Sequence, residues 1–244
     1  MMDLKTLVLL AASLAILASH TFADPDELEE LEDSECPENP ENPDNPDNPN
    51  NGGGTRDDDS SLCANFQHIR DLIDQVALRE LIDVHYNCDK KFRRAMRFYN
   101  TSGFVAVTQQ LTNTSAYQTV LKQLNAASVD TADITTVAEI FYCIILPVQN
   151  PAKKCNCKAV KCHTFVNDLL NLMPHQAVHN YVAWSRFNQT NFGNFTKAVV
   201  SQEFQATLKA NVKKSDVIVP LRTLRKNGWD IPELLRAMLT IFQW

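Results

Sequence analysis

The sequence predicts an all-α protein: two tandem five-helix repeats that close into one helical shell around an apolar core or cavity, preceded by a disordered acidic leader. Three observations point there. About 180 residues at the C-terminal end are written twice, at an offset of 100 residues and with no gap between Leu72 and Trp244. Apolar residues in that part recur at three- and four-residue steps, the spacing of one-sided helices. Composition changes completely at Ser60, where an acidic, proline-rich stretch gives way to a basic, more apolar body.

Setting position i beside i+100 pairs Leu72 with Leu172, Phe92 with Phe192, Phe104 with Phe204, Leu121 with Leu221, Leu124 with Leu224 and Asp130 with Asp230. Ile82/Val182, Ile134/Leu234, Val137/Ala237, Phe141/Ile241 and Tyr142/Phe242 agree in character. What is repeated is a set of buried faces rather than a set of reactive groups, as in a duplicated helical unit.

Residues 1–23 read as a secretory signal peptide: Lys5, an apolar run from Leu7 to Leu17, then Thr21, Phe22 and Ala23 with small residues at the cleavage positions. The run is well short of the ~18 apolar residues of a membrane span. Residues 24–60 hold six of the eleven prolines, four of them in the run Glu38-Asn-Pro, Glu41-Asn-Pro, Asp44-Asn-Pro, Asp47-Asn-Pro. Such a segment buries too little apolar surface to offset its ordering entropy, so disorder is expected. It carries fifteen acids and one base, a charge of −14, whereas residues 61–244 carry 21 Lys/Arg against 13 Asp/Glu, a charge of +8. Either the leader screens a basic surface from anionic membranes, or it is a solubilising segment with no partner. Lys90, Lys91, Arg93, Arg94 and Arg97, flanking Phe92, Met96 and Phe98, are the preferred basic face. No nucleic-acid partner is expected.

Residues 61–147 form repeat 1, 148–161 a cysteine-containing connector and 162–244 repeat 2. Phe66, Ile69, Leu72, Ile73, Val76, Leu81 and Ile82 mark the first stripe; Tyr117, Val120, Leu121 and Leu124, then Ile134, Val137, Phe141 and Ile144, mark later ones. Asp130 and Asp230 stand where helix caps belong, with Pro232 and Glu233 in the first turn after Asp230. Gly228 suits a left-handed helix end. One repeat of about 90 residues cannot cover its own stripes, so the copies are expected to close on each other as one domain.

Phe66-x-x-Ile69-x-x-Leu72-Ile73, Tyr86-x-x-Asp89, Tyr99 to Phe104, Tyr117 to Leu124 with Val129-Asp130, and Ile145-Leu146-Pro147 in the first copy resemble the insect allergen-related repeat. So do Leu172-Met173-Pro174, Ser201-x-Glu203-Phe204, Leu221-x-x-Leu224 and Gly228-Trp229-Asp230 in the second. That family includes cockroach allergens, insect midgut microvillar proteins and nitrile-specifier proteins. The resemblance implies a secreted gut protein whose helical shell encloses a large apolar cavity for lipids. Asp74 departs from the pattern, standing where the first copy would have proline.

A hollow version must be filled. At about 24 cal/mol per Å³, an empty void of ~1,000 Å³ would cost more than the ~5–15 kcal/mol that stabilises a domain. Burying an acyl chain returns about 0.8 kcal/mol per methylene. The candidate lining is Ile82, Phe92, Phe104, Leu121, Leu124, Phe141, Val182, Phe192, Phe204, Leu221, Leu224 and Ile241; ordinary core packing is the alternative for each.

Catalytic motifs are missing from the sequence: it has no glycine-rich phosphate loop, no His-Glu-x-x-His and no Gly-x-Ser-x-Gly. No catalytic residue, metal or cofactor is expected. Cys155-x-Cys157-x4-Cys162-His163 with His175 and His179 is the one constellation weighed for zinc, and its spacing and a secreted chain favour disulfides instead. His68 and His85 sit singly and read as solvated or satisfied by a neighbour. Cys63, Cys88, Cys143, Cys155, Cys157 and Cys162 are expected to form three bridges, in any of fifteen pairings, with the connector cysteines pinning the repeats together. Cys36, in the leader, is the odd one. Asn100, Asn113, Asn188 and Asn194 begin Asn-x-Ser/Thr sequons and suggest solvent-facing helix junctions.

The expected function is a secreted, non-catalytic carrier of fatty acids, phospholipids or other apolar small molecules in the gut lumen or at the microvillar surface. A detoxification protein resembling the nitrile-specifier members, or an interaction protein of the gut lining, are the alternatives.

Overall fold

The computed structural model describes residues 61–144, 147, 149–151 and 154–244; segments 1–23 and 24–60, with Cys36, lie outside the described residues. Among the described residues there are α-helices and no strands. Before the connector come α1 (Leu62–Asp71), α2 (Gln75–Cys88), α3 (Lys90–Tyr99), α4 (Ser102–Thr112), α5 (Ser115–Ala126) and α6 (Val137–Tyr142). After it come α7 (Phe165–Leu172), α8 (His175–Phe187), α9 (Asn191–Val200), α10 (Gln202–Asn211), α11 (Ser215–Lys226) and α12 (Ile231–Gln243). Short 3₁₀ turns occupy Ala132–Ile134 and Cys157–Val160.

Each half therefore holds six described α-helices rather than the five expected, because the apolar run from Phe66 to Ile82 is two helices. The first ends at Asp71 and Asp74 caps the second: its Oδ1 accepts the N–H groups of Val76 at 2.9 Å and Ala77 at 2.8 Å. Those donors have no intrahelical partner otherwise. In the second half Pro174 stands at the start of α8 without a side-chain cap bond. The departure at Asp74 is thus one helix start solved in two ways. The other terminal expectation also divides. Asp230 caps α12 through Glu233 N–H at 3.2 Å, whereas Asp130 caps only the 3₁₀ turn, and α6 begins after its own capping box of Thr136 and Glu139.

Hydroxyl caps keep the other junctions short. Thr101, Thr114, Thr164, Thr190 and Ser201 each accept a backbone N–H of the following first turn. α5 and α11 end alike, in a bond from the residue after the left-handed position back to the carbonyl five residues earlier: Val129 N–H to Leu124 O at 3.1 Å, Trp229 N–H to Leu224 O at 3.0 Å. The left-handed residues are Ser128, φ 61°, and Gly228, φ 91°. Gly228 is also a close approach, since a Cβ there would lie 2.4 Å from Lys91 O.

The halves interlock reciprocally. α4 packs on α11 while α10 packs on α5. Phe66 of α1 meets Phe192 of α9 edge to face at 5.8 Å, and Phe165 of α7 meets Phe92 of α3 at 4.4 Å. At one end Asp130 and Asn191 exchange two hydrogen bonds, of 2.7 and 3.0 Å; at the other, Arg94 Nη1 donates to Lys226 O at 3.1 Å. One apolar cluster draws on both halves. Burial, with the Glu139 charge adding, pushes the Tyr117 phenol well up, so within this cluster it remains a donor to Ile134 O at 2.6 Å.

Two disulfides join described residues, Cys63–Cys143 and Cys88–Cys157, with Cα–Cα distances of 4.5 and 5.1 Å. They differ from the expected pinning of one repeat to the other. Cys63–Cys143 closes the first half on itself, and Cys88–Cys157 fastens α2 to the connector. Cys157 reaches back because the connector runs along α2, where Asn150 N–H also donates to Asp83 Oδ1 at 2.7 Å and Cys155 Sγ lies 3.8 Å from Asp83 O.

Candidate functional site

The twelve candidate lining positions lie on α2 to α6 and α8 to α12, and the structure brings them into or against one cluster. Ile82, Phe92, Phe104, Leu124, Phe141, Val182, Phe192, Phe204, Leu224 and Ile241 are at most 5% exposed; Leu121 and Leu221 are half-buried and pack against the same core. These residues belong to that cluster or pack against it, and Phe92 also borders a surface recess. Phe104 packs on Phe141 at 4.7 Å and Tyr99 at 4.9 Å, and Trp229 closes the group, 5.5 Å from Phe141. In the second nest Phe192 meets Phe66, Tyr181 at 5.6 Å and Phe242 at 5.8 Å. Edge-to-face rings at such distances add about 0.5–1.5 kcal/mol each beyond burial.

Trp229, Phe195 and Phe242 are central to these nests yet absent from the sequence-based lining. The offset comparison favours like pairs, and two of these break the likeness: Trp229 stands against Val129 and Phe195 against Ala95. A large residue filling the space left by a small counterpart is how a duplicated core stays closely packed. Trp229 Nε1 is buried without a hydrogen-bond partner, at an expected cost of about 1–3 kcal/mol.

Two surface openings lie where α3, α7 and α12 meet. A recess of about 60 Å³ is lined by Phe92, Ala95, Phe165, Trp229 and Leu234 together with Asp89, Lys91, Asp230 and Glu233. It has room for a few waters, not an acyl chain. A neighbouring open groove of about 350 Å³ between α7 and α12 shares Val166, Asp230 and Glu233 with it and adds Asn167, Leu170, Arg236, Ala237 and Thr240.

A polar chain crosses from the first half to the second beside the recess. His85, fully buried on α2, lies with Nε2 2.9 Å from Asp168 Oδ2 on α7, and Asp168 Oδ1 lies 2.7 Å from Nδ1 of the half-exposed His163. Asp89 Oδ2 is 3.8 Å from His85 Nδ1, too far for a hydrogen bond. Burial alone would raise the Asp89 carboxyl. His85 and the backbone N–H groups of Phe92 and Lys91 outweigh it and hold the carboxyl below the usual carboxylate value, so the cap of α3 stays ionised. Expected to be solvated or satisfied by a neighbour, His85 is buried, paired at Nε2 with Asp168, 83 residues away, and without a hydrogen-bond partner at Nδ1.

The remaining candidates have structural partners. His175 stacks on Trp244 at 3.9 Å and His179 Nδ1 lies 2.6 Å from Trp244 O, so both hold the C-terminal residue. No group of three metal-ligating side chains occurs among the described residues. Of the basic face, Arg93 bonds Tyr86 O and Asn87 O at the end of α2, and Arg94 bonds the end of α11, where cations offset unpaired carbonyls. Lys91 lies 3.8 Å from both Asp230 and Glu233; Lys90 and Arg97 are exposed. Phe92 and Met96 belong to the core, and Phe98 packs against it. Burial lowers the pKa of Arg186, which donates to Thr196 Oγ1 at 3.0 Å and Phe242 O at 2.9 Å and joins α8, α9 and α12. Asn100, Asn113 and Asn188 are exposed at helix ends; Asn194 instead lies within α9, half-buried, and donates to Ser128 O at 3.3 Å. No helix among the described residues is long and apolar enough to cross a membrane.

None of the curated proteins compared matches the chain, and no solved structure does. A family model described as insect allergen related repeat, nitrile-specifier detoxification matches residues 61–235. That range takes in most of α1 to α12 and well over half of the chain, with the interlocked halves and the nests around Phe104 and Phe192 inside it: the chain belongs to the insect allergen-related repeat family.

Proposed function

We propose that this protein is a secreted, non-catalytic carrier of fatty acids, phospholipids or similar apolar molecules. The observation that supports it best is the single apolar cluster spanning both halves. Each half covers the other's amphipathic faces through reciprocal helix pairs, α4 on α11 and α10 on α5. An acyl chain entering between them would take the place of that mutual cover, and each buried methylene would contribute about 0.8 kcal/mol toward opening the pairs. The disulfides Cys63–Cys143 and Cys88–Cys157 and the predicted signal segment favour an oxidising, extracellular setting. The gut lumen or microvillar surface is suggested by the resemblance to the family.

Ligand linkage tests the reading. Stripping apolar molecules should lower the melting temperature, and oleic acid should restore it in a concentration-dependent way, by about 2.7 kcal/mol at one hundred times the dissociation constant. Equal melting with and without oleic acid at saturating concentration would count against a carrier.

A detoxification role is the second reading, favoured by the family description and by His163. With Nδ1 held by Asp168, the ring keeps a second nitrogen for proton transfer. Turnover of reactive plant-glucoside products by the native protein, lost in Asp168→Asn, would support it. Native protein that leaves those products unchanged would remove it.

A further inference from the structure

Trp184 and Phe187 on α8 are 50% and 85% exposed, side by side on one stretch of helix, and together form an apolar aromatic surface. Adjacent exposed aromatic side chains of this kind form a surface that a covering group can bury. The sequon Asn188-Gln189-Thr190 begins at its edge. Asn188 is one helical turn after Trp184, so the two side chains share a face. Its Nδ2 donates to Trp184 O at 2.9 Å. Gln189, φ 52°, turns the chain away, and Thr190 O accepts from Asn194 N–H at 2.9 Å as α9 begins. No other sequon has this setting: Asn194 is half-buried within a helix, and Asn100 and Asn113 have no exposed large aromatic side chain in the turn before them.

We propose that Asn188 carries an N-linked glycan whose first sugars lie over Trp184 and Phe187, sheathing the aromatic surface. In the transfer, Nδ2 of Asn188 displaces the diphosphate at C1 of a polyprenyl-diphosphate-linked oligosaccharide. One N–C bond forms and one C–O bond breaks; the diphosphate leaves with the bonding pair, and one Nδ2 proton is released to base. The second Nδ2 proton remains, so the bond to Trp184 O survives the modification. The sugar begins next to the indole, and its C–H faces can pack on the two rings.

The inference rests on secretion, and the test separates the two. The full chain is produced in a eukaryotic secretory host and its glycopeptides are mapped. Native protein is then treated with a peptide amidase that removes N-glycans, and tryptophan fluorescence is read with acrylamide as quencher. Of the three tryptophans, Trp229 is 2% exposed and Trp244 is half-buried, which leaves Trp184 as the one most open to quencher. Expected are occupancy at Asn188 and, on deglycosylation, a red shift with stronger quenching; both changes should be absent from Trp184→Phe. Occupancy at Asn100 or Asn113 with Asn188 bare overturns the inference and leaves secretion standing. So does unchanged quenching, or binding of the intact glycoprotein to phosphatidylcholine vesicles that Phe187→Ser abolishes. Secreted protein with every sequon bare overturns it as well, and retention in the cytosol overturns it together with the secretion reading.

Discussion

Replacing both cysteines of the Cys88–Cys157 bridge with serine should lower unfolding stability by about 4 kcal/mol. The bond closes a loop over a sequence separation of 69 residues, and loops of that length remove about 4–5 kcal/mol of chain entropy from the unfolded state. For a body of this size each kcal/mol shifts the melting temperature by roughly 2–4 °C. The anchored connector leads into α7, and α7 carries Phe165 and Asp168 to Phe92 and His85. Loss of the bridge should therefore loosen that seam first, and hydrogen exchange should rise in α7 before α11. Denaturant melts of native and double-serine protein would read the difference. A change below about 1 kcal/mol would mean that the unfolded chain is already held compact near Cys88.

Gly193→Ala should destabilise by about 2–3 kcal/mol even though it improves the helix. Gly193 lies in the first turn of α9, where alanine is favoured over glycine by at most about 1 kcal/mol on propensity alone. The packing opposes it: a Cβ at Gly193 would lie 2.0 Å from Ser185 O and 2.8 Å from Arg186 N, backbone atoms of α8 that cannot rotate away. α9 would have to lift off α8 and draw Phe192, Phe195 and Arg186 with it, the kind of overpacking that costs about 1–3 kcal/mol or more. Gly103→Ala is the control. Its Cβ would meet the far edge of the Phe98 ring at 3.2 Å and Thr101 Oγ1 at an ordinary 3.5 Å, so it should be neutral or up to about 1 kcal/mol more stable. If both substitutions stabilise, the close approach of α8 and α9 is not as described.

Helix class, capping and the left-handed end at Gly228 were legible because they depend on nearest neighbours: Asp230 with Glu233, Lys226-Asn227 before Gly228, stripes at three and four residues. The candidate lining was legible as buried faces through its doubled register. The break at Asp74 was readable only as a departure from a pattern, since an apolar run continues across it. The polar chain from His85 to His163 was not legible, because its members stand 83 and 5 residues apart and meet only once the halves dock. Nor was the role of Trp229, whose counterpart Val129 conceals it. The structural part played by the basic residues of α3 was hidden for a related reason: composition shows charge, but only the fold shows that Arg93 and Arg94 serve the carbonyl ends of α2 and α11.

The carrier reading turns on whether the interlocked core ever yields to a ligand, and mass spectrometry of an organic extract from natively purified protein asks this most directly. The account predicts long-chain fatty acids or phospholipids in near-stoichiometric amount, displaced by added oleic acid. An extract free of apolar molecules, from protein as stable after solvent stripping as before, would contradict it and leave Phe104, Phe192 and their neighbours as a solid core.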